Sequence, residues 1–255
     1  MAYFSKSLRE KSGGEPTSLR LYRSYVQALD WLFPPQCAGC GKPGSHWCTE
    51  SQASLRRISE PHCTSCGLPN INIELCDSCQ ENSPTYVEAR SFAYYEGDLR
   101  VALLNAKYRR DQALGLQFAQ YLDQLLGALK WKIDAIVPIP LSKGRVNERG
   151  YNQVEIYARP LALMEEIDYL PKALIRSKET LSQVGLSLDD RWSNLENAFT
   201  AKARLLGQKN ILLIDDVMTT GATLASAAKS LVTAGAKNVY ALTMARAVPE
   251  KSKGP

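Results

Sequence analysis

The fold of this chain is decided by residues 211–224, which read Ile-Leu-Leu-Ile-Asp-Asp-Val-Met-Thr-Thr-Gly-Ala-Thr-Leu. The four apolar residues at the start predict a buried strand. Two carboxylates come where that strand should end, and a short loop of threonines and glycine follows. A helix is then predicted from Thr223 to Ala234, with Gly235 as its C-terminal stop.

This order of strand, turn and helix favours an anion site. In a parallel sheet, ligands sit beyond the carboxyl ends of the strands. The helix N-terminus presents unpaired amides and a dipole that attracts negative charge. The threonines add hydroxyl donors, and Gly221 allows the backbone to approach closely. Asp215 and Asp216 would repel a phosphate, so they are better placed to bind sugar hydroxyls. A phosphate and a diol together describe a ribose 5-phosphate.

The same residues resemble the phosphoribosyl pyrophosphate (PRPP) loop of type I phosphoribosyltransferases. The resemblance implies an α/β fold, a Rossmann-like parallel sheet flanked by helices. It implies that Asp215 and Asp216, as catalytic residues, hold the ribose 2′- and 3′-hydroxyls, while residues 219–223 cradle the 5-phosphate. An ordinary buried strand with an acidic loop is the alternative. The residues assigned to PRPP are Asp215, Asp216, Val217, Met218, Thr219, Thr220, Gly221, Ala222 and Thr223.

Composition limits the class of protein. A chain of 255 residues with 45% hydrophobic residues can bury a core in one or two domains. A net charge of +5 suits phosphorylated ligands and is compatible with nucleic acid. No apolar run reaches the length of a membrane span, and the N-terminus lacks the apolar core of a signal peptide. We therefore expect a cytoplasmic protein without a membrane span.

The cysteines predict metal binding. All seven lie between Cys37 and Cys79, which in a cytoplasmic protein indicates metal before disulfides. The last four form two Cys-x-x-Cys knuckles that can close a tetrahedron around a structural Zn²⁺. The first three lack a fourth partner, because Ser51 stands where a cysteine would be expected. His46 or His62 could complete a second zinc site, or the first set holds no zinc; the knuckles could also interleave. The predicted ligands are Cys37, Cys40, Cys48, Cys63, Cys66, Cys76 and Cys79.

A second anion cradle is predicted after residues 133–138, which form another apolar strand. In type I phosphoribosyltransferases, the loop after the first core strand binds pyrophosphate. Arg145 and Arg149 are the candidates for that role here, with Lys143 a weaker one, and a solvated loop is the alternative. The run Arg-Gly-Tyr-Asn-Gln at residues 149–153 also resembles the Arg-Gly-Phe-Asn-Gln signature of ComF-type proteins.

The remaining pattern predicts the other elements and the domain division. Strands are expected at residues 86–95, 172–176 and 237–245, and helices at 18–33, 99–108 and 113–129. A further helix should start near Asn152 and be kinked or broken by Pro160. Residues 177–188 predict a flexible hood over the site, and Thr180, Gln183, Ser187, Arg191 and Asn194 resemble the ComF pattern. The predicted domains are a disordered tail (1–17), a helix with a double-zinc-ribbon-like module (18–84), a phosphoribosyltransferase domain (85–247) and a tail (248–255).

Three features occur in one chain and in order: the cysteine-rich front, the Arg-Gly-Tyr-Asn-Gln run and the PRPP loop. Over about residues 30–247 they resemble the ComF family of competence-associated, amidophosphoribosyltransferase-like proteins. The resemblance implies a role in natural transformation, handling incoming single-stranded DNA with a helicase-like partner. As an enzyme, such a protein would transfer a ribosyl 5-phosphate from PRPP to an acceptor, with Mg²⁺ bridging pyrophosphate and ribose oxygens.

The alternative is a non-catalytic module that senses PRPP or a nucleotide and binds single-stranded DNA. Cations that bind pyrophosphate also bind a nucleic-acid backbone. The aromatic residues Trp47, Tyr86, Tyr94 and Tyr95 could stack on bases or belong to the core. The basic run at residues 107–110 either compensates a helix dipole or contacts a ligand. The sequence names no acceptor, although Lys107 and Lys178 could assist, and it does not determine the oligomeric state.

Overall fold

The computed structural model describes residues 15–59, 61–69, 74–177 and 198–248. Within them, a five-stranded parallel sheet has the order β1-β7-β6-β2-β3, and β4 pairs with β5 in a separate antiparallel ribbon. This confirms the predicted α/β fold, in which a parallel sheet is flanked by helices. The strands are β1 (Glu88–Tyr94), β2 (Ala135–Pro138), β3 (Asp168–Tyr169), β4 (Leu174–Arg176), β5 (Phe199–Ala201), β6 (Asn210–Met218) and β7 (Asn238–Arg246).

Helices flank this sheet and form the N-terminal module. Among its described residues, the cysteine-rich module contains two short helices, each of which begins directly after a cysteine. The longer helices carry the apolar faces that cover the sheet. The helices are α1 (Thr17–Leu32), α2 (Thr49–Ala53), α3 (Asp77–Asn82), α4 (Gly97–Asn105), α5 (Gln112–Leu129), α6 (Lys143–Arg149), α7 (Glu155–Glu165) and α8 (Ala222–Thr233), with a short 3₁₀ turn at Ala203–Leu205.

The two faces of β6 bury alternate residues, as a strand requires. Leu212 and Ile214 point towards α5 and α7, in the same core cluster as Phe118. Ile211 and Leu213 point towards α8 and the β4–β5 ribbon. Because the sheet is covered on both faces, its ligands must approach from the edge where the strands end.

The predicted break at Pro160 does not occur. The helix α7 runs from Glu155 to Glu165 with Pro160 inside it. Proline cannot donate a hydrogen bond to the carbonyl four residues earlier, which here belongs to Ile156. The helix α5 packs tightly at that carbonyl: a Cβ on Gly115 would lie 2.2 Å from the Ile156 oxygen. Packing against α5 therefore holds the helix together where local propensity would end it.

Two other expectations differ in detail. The strand β6 continues through both aspartates to Met218, since it pairs with β7 over the same length. The predicted loop at residues 143–149 is the helix α6. The Ser142 side chain caps its start by accepting from the Arg145 amide, and Gly150, with φ of 73°, ends it.

The predicted stop of α8 is confirmed, because Gly235 follows it with φ of 101°. Residues 178–188 of the predicted hood lie outside the described residues, as do Arg191 and Asn194 of the ComF pattern and residues 1–14 and 249–255 of the predicted tails. The predicted domain limits remain predictions. Among the described helices, none combines the length and the apolar character needed to cross a membrane.

Candidate functional site

The turn between β6 and α8 presents open amides. Gly221 caps α8 with φ of 86°, in the left-handed region that glycine adopts easily. The side chain of Thr220 accepts from the Ala222 amide at 3.3 Å, which folds the turn on itself. Among the residues that the structure describes, no backbone carbonyl accepts from the amides of Thr219, Thr220 or Gly221. The turn is therefore a cup of donors at a helix N-terminus, suited to a phosphate.

The two aspartates flank the end of β6 on opposite faces. Successive strand residues alternate, so Asp216 faces the side of α7 and Asp215 the side of β4. Each carboxylate accepts a hydrogen bond from the next amide, at 2.9 Å for Asp215 and 2.7 Å for Asp216. Burial raises the pKa of Asp215 well above its usual range, and the neighbouring Asp216 raises it further. A ligand that donates hydrogen bonds would relieve this unfavourable charge.

A buried relay fixes the orientation of Asp216. Gln153 is 4% exposed and donates from Nε2 to Asp216 Oδ2 at 3.0 Å. Its Oε1 accepts from Arg149 at 3.1 Å. Arg149 therefore orients the side-chain amide of Gln153, whose oxygen and nitrogen both have hydrogen-bond partners. The Arg-Gly-Tyr-Asn-Gln run thus contributes a positioning residue, which sequence reasoning did not identify.

We expect Gln153→Leu to weaken PRPP binding by about 10-fold or more, because a hydrogen bond to a charged group contributes about 1.5–3 kcal/mol. Gln153→Glu should weaken it further, since a second negative charge would face Asp216. Isothermal titration calorimetry measures both. The matched control is Asn147→Asp, which adds the same charge at an exposed position of α6. Equal affinity in all four proteins would exclude the relay.

The predicted cations do not act as one set. Lys143 is exposed, whereas Arg145 and Arg149 are half-buried. Arg149 is engaged by Gln153. Arg176, which ends β4, was not predicted. Burial lowers its pKa, Arg145 lowers it further, and Asp215 raises it. Two arginines on neighbouring elements beside one acid favour an anion between them, so Arg145 and Arg176 are the better pyrophosphate candidates.

The surroundings of Gly221 leave no room for a larger side chain at this position of the turn. A Cβ at this position would lie 2.7 Å from the Met218 methyl and 3.3 Å from the Tyr86 hydroxyl. We expect Gly221→Ala to lower the free energy of unfolding by about 1–2 kcal/mol, the cost of a left-handed residue, and to weaken PRPP binding. Chemical denaturation checks the first effect and calorimetry the second. The control Gly127→Ala, in α5 with open space around it, should be neutral or stabilising. A Gly221 variant as stable as the control would contradict this account.

The complete cysteine set lies directly behind this turn. Sγ atoms of Cys63, Cys66, Cys76 and Cys79 all lie within 4.8 Å of one another. A hydrogen bond from Cys79 and the charge of Arg246 help to lower the pKa of Cys66 to about 4, although burial opposes them. Four converging sulfurs, one of them readily a thiolate, fit a structural Zn²⁺. Gly67, with φ of 66°, makes the predicted knuckle turn.

The first cysteine set is separate, so the knuckles do not interleave. Cys37, Cys40 and Cys48 form their own cluster. His46 is not its fourth ligand: its ring nitrogens lie 2.7 Å from Asp111 and 2.8 Å from Asp30. These two carboxylates raise the pKa of His46, although burial opposes them. His62 pairs with the backbone of Pro69 and lies outside both clusters.

Comparison with known proteins identifies the family. A family model described as the double zinc ribbon domain matches residues 28–80. The DNA utilization protein YhgH of Escherichia coli K12 is 30% identical over 224 residues, 84% of this chain and 97% of the relative. Competence protein F of Haemophilus influenzae is 29% identical over 208 residues, 78% of this chain and 90% of the relative.

Competence protein ComFC of Streptococcus pneumoniae is 30% identical over 201 residues, 78% of this chain and 87% of the relative. The chain belongs to the ComF family. A solved structure of the glutamine PRPP amidotransferase from Bacillus subtilis, complexed with ADP and GMP, is similar to 55% of this chain at 17% identity, with a TM-score of 0.39. The match spans 30% of the length of that protein. The two cysteine clusters are those of a double zinc ribbon, and structural zinc is thereby supported.

A groove beside α1 is the other notable surface of this ComF protein. We call it the α1 groove; its two adjoining cavities, of about 510 and 670 Å³, share Leu29, Arg110 and Gln112. Arg109 and Arg159 also line it, so part of the basic run predicted at residues 107–110 faces this groove. Aromatic side chains lie along it or stand exposed on α1. They are Tyr22, Tyr25, Trp31, Phe33 and Tyr151.

The aromatic residues proposed for base stacking are mostly elsewhere. Trp47 and Tyr86 are 7% and 4% exposed and belong to the core. Trp47 packs edge-on against Phe118. Tyr94 lies under the guanidinium of Arg56 at 3.8 Å. Of the two alternatives for Trp47 and Tyr86, the assignment to the core is therefore confirmed, since neither ring is accessible.

Proposed function

We propose that this ComF protein binds PRPP at the turn of residues 219–223 and transfers its ribosyl 5-phosphate to a nucleophile during DNA uptake. The observation that supports the proposal most strongly is the juxtaposition of the open amides with two restrained carboxylates. The amides take the 5-phosphate, and the carboxylates of Asp215 and Asp216 accept from the ribose hydroxyls. Arg145 and Arg176 take the pyrophosphate.

In this mechanism the protein works by positioning and charge compensation. The carboxylates hold the sugar while positive charge develops on the ribose ring. The arginines hold the departing pyrophosphate, whose negative charge grows as its bond to the sugar breaks. Mg²⁺, when bound with PRPP, would neutralise part of that charge; it requires oxygen ligands, which Asp215 and Asp216 can supply.

The cellular role follows from the relatives. Two of them are named a competence protein and a DNA utilization protein. We assign this chain to the same process, with single-stranded DNA and a helicase-like protein as partners. Seven free cysteines, used as zinc ligands rather than disulfides, fit the reducing conditions of the cytoplasm.

The reaction is tested by PRPP-dependent release of pyrophosphate. Purified, zinc-loaded protein is mixed with Mg²⁺ and PRPP, and a panel of purine and pyrimidine bases, amines and DNA oligonucleotides is screened as acceptors. At least one acceptor should accelerate release, and Arg176→Gln should slow it. Saturable PRPP binding without acceleration by any acceptor in the panel would favour PRPP sensing over catalysis.

A second candidate activity is binding of single-stranded DNA along the α1 groove. Arg109, Arg110 and Arg159 supply positive charge, and the exposed rings on α1 supply stacking surfaces. Three acids, Asp30, Asp111 and Glu155, also line the groove, and they would set its selectivity and limit its affinity.

The salt dependence of oligonucleotide binding tests this second activity. Replacing Arg109 and Arg110 together should reduce the slope of log affinity against log salt by about 1.4, because each phosphate contact with a single strand contributes about 0.7. Tyr25→Ala, which removes an exposed ring that lines the groove, should weaken binding with little change in slope. An unchanged slope in the arginine variant would place the DNA elsewhere on the protein.

A further inference from the structure

The first cysteine cluster has a candidate fourth ligand that is not a cysteine. The two ribbons share one local design: Cys48 stands at the N-cap position of α2, and Cys76 stands at the N-cap position of α3. Three residues later, the second ribbon has Cys79 and the first has Ser51. Ser51 is fully buried at 0% exposure. Its hydroxyl therefore occupies the place where the other ribbon presents a zinc-binding sulfur.

The distances fit a tetrahedral site with three sulfurs and one oxygen. Zn–S and Zn–O bonds of about 2.3 and 2.0 Å imply S···S edges of about 3.8 Å and S···O edges of about 3.5 Å. Ser51 Oγ lies 3.2 Å from Cys37 Sγ and 3.4 Å from Cys48 Sγ. Cys40 and Cys48 sulfurs are 3.5 Å apart. The complete ribbon gives 3.7 Å for Cys66 and Cys76.

A carboxylate of the helix α4, outside the cysteine-rich module, orients the hydroxyl. Ser51 Oγ donates to Asp98 Oδ2 at 2.6 Å. Asp98 lies in the first turn of α4. Because the hydroxyl proton of Ser51 points at Asp98, the lone pairs of the Ser51 oxygen remain available to a metal ion on the side where the sulfurs lie. The first knuckle lies close to α4, because a Cβ added to Gly39 within that knuckle would lie 2.7 Å from Asp98 Cβ.

We propose that the first ribbon binds Zn²⁺ through Cys37, Cys40, Cys48 and the neutral hydroxyl of Ser51, and that Asp98 positions that hydroxyl. A serine hydroxyl is a weaker zinc ligand than a thiolate, so this site releases its metal before the four-cysteine site. The metal also ties the ribbon to α4, the helix that follows β1 at the ligand-binding edge of the sheet.

Metal titration of the full-length protein tests this proposal. We expect two zinc ions per chain, one of which a chelator removes first. With Co²⁺ in place of zinc, the wild type presents seven thiolates to metal and Ser51→Cys presents eight. The thiolate-to-metal charge-transfer absorption should therefore rise by about one seventh in Ser51→Cys. Zinc affinity of the first site should increase in that variant. Asp98→Asn and Ser51→Ala should each lower it by about 10- to 100-fold, the usual effect of losing an outer-shell or weak ligand.

The four-cysteine site in the same molecule is the internal control, and its affinity should not change. The variant control is Glu96→Gln, which removes an acid two residues before Asp98 whose carboxylate pairs with Arg56 rather than with Ser51. The proposal is overturned if the saturated wild-type protein holds only one zinc. It is equally overturned if Asp98→Asn and Ser51→Ala both leave the affinity of the first site within twofold of wild type.

Discussion

PRPP binding is expected to fall at least about 100-fold when Asp215 and Asp216 are both replaced by asparagine. Each carboxylate would lose charge-assisted hydrogen bonds to the ribose, worth about 1.5–3 kcal/mol apiece. The fold should survive, because asparagine can still accept from the following amide, as both aspartates do. Burial and the neighbouring charge also disfavour ionised Asp215, so its neutral replacement removes an unfavourable charge.

Calorimetry measures the affinity and chemical denaturation measures the fold. We expect the free energy of unfolding to stay within about 1 kcal/mol of wild type. Asp168→Asn is the matched control: it makes the same change at the opposite edge of the sheet, where Asp168 pairs with Lys209 at 3.1 Å. A double variant that binds PRPP as wild type does would remove the aspartates from the site.

Loss of zinc from the four-cysteine ribbon should weaken PRPP binding by about 10-fold or more. Arg246 donates to the Cys66 carbonyl at 2.9 Å and lies 3.6 Å from its sulfur. The next residue, Ala247, donates to the carbonyl of Met218 at 2.9 Å, directly before the phosphate turn. Tyr86 is buried in the same core cluster as the four cysteines, and its hydroxyl would lie 3.3 Å from a Cβ on Gly221. Because structural zinc couples about 10–16 kcal/mol of binding to folding, its loss should release these supports.

The test compares one substitution in each ribbon. Cys66→Ser should lower both zinc content and PRPP affinity. Cys40→Ser removes an exposed sulfur of the first ribbon, which lies beside the Cys48 sulfur, and should leave PRPP affinity within twofold. Arg246→Gln keeps all cysteines and should reproduce part of the loss. Equal PRPP affinity in Cys66→Ser and Cys40→Ser would show that the ribbon does not support the turn.

Local sequence determines the secondary structure around the candidate site, which was predicted correctly in its main elements. The strand, the turn and the helix of residues 211–233 depend on an apolar run, a glycine and a helix cap, and these three signals lie next to one another in the sequence. The cysteine knuckles are likewise local, and Gly41 and Gly67 have the positive φ that their turns require. Local chemistry also accounts for the helix α6, whose serine and glycine caps were present in the sequence but were read as part of a loop.

Long-range contacts explain what was missed. Gln153 and Asp216 are 63 residues apart, so no spacing rule links them. Arg176 reaches the site only because the β4–β5 ribbon folds beside β6. His46 was a reasonable zinc ligand by its position in the sequence, but its two ring nitrogens pair with Asp30 of α1 and with Asp111 at the N-cap of α5. In the same way, nothing near Ser51 in sequence indicates Asp98 as its partner.

The structure of the protein in complex with Mg²⁺ and PRPP tests the central claim most directly. The account predicts phosphate oxygens at about 3 Å from the amides of Thr219, Thr220 and Gly221. It predicts the ribose hydroxyls at the same distance from Asp215 and Asp216. PRPP bound elsewhere on the protein, or bound with its phosphate away from these amides, would contradict it.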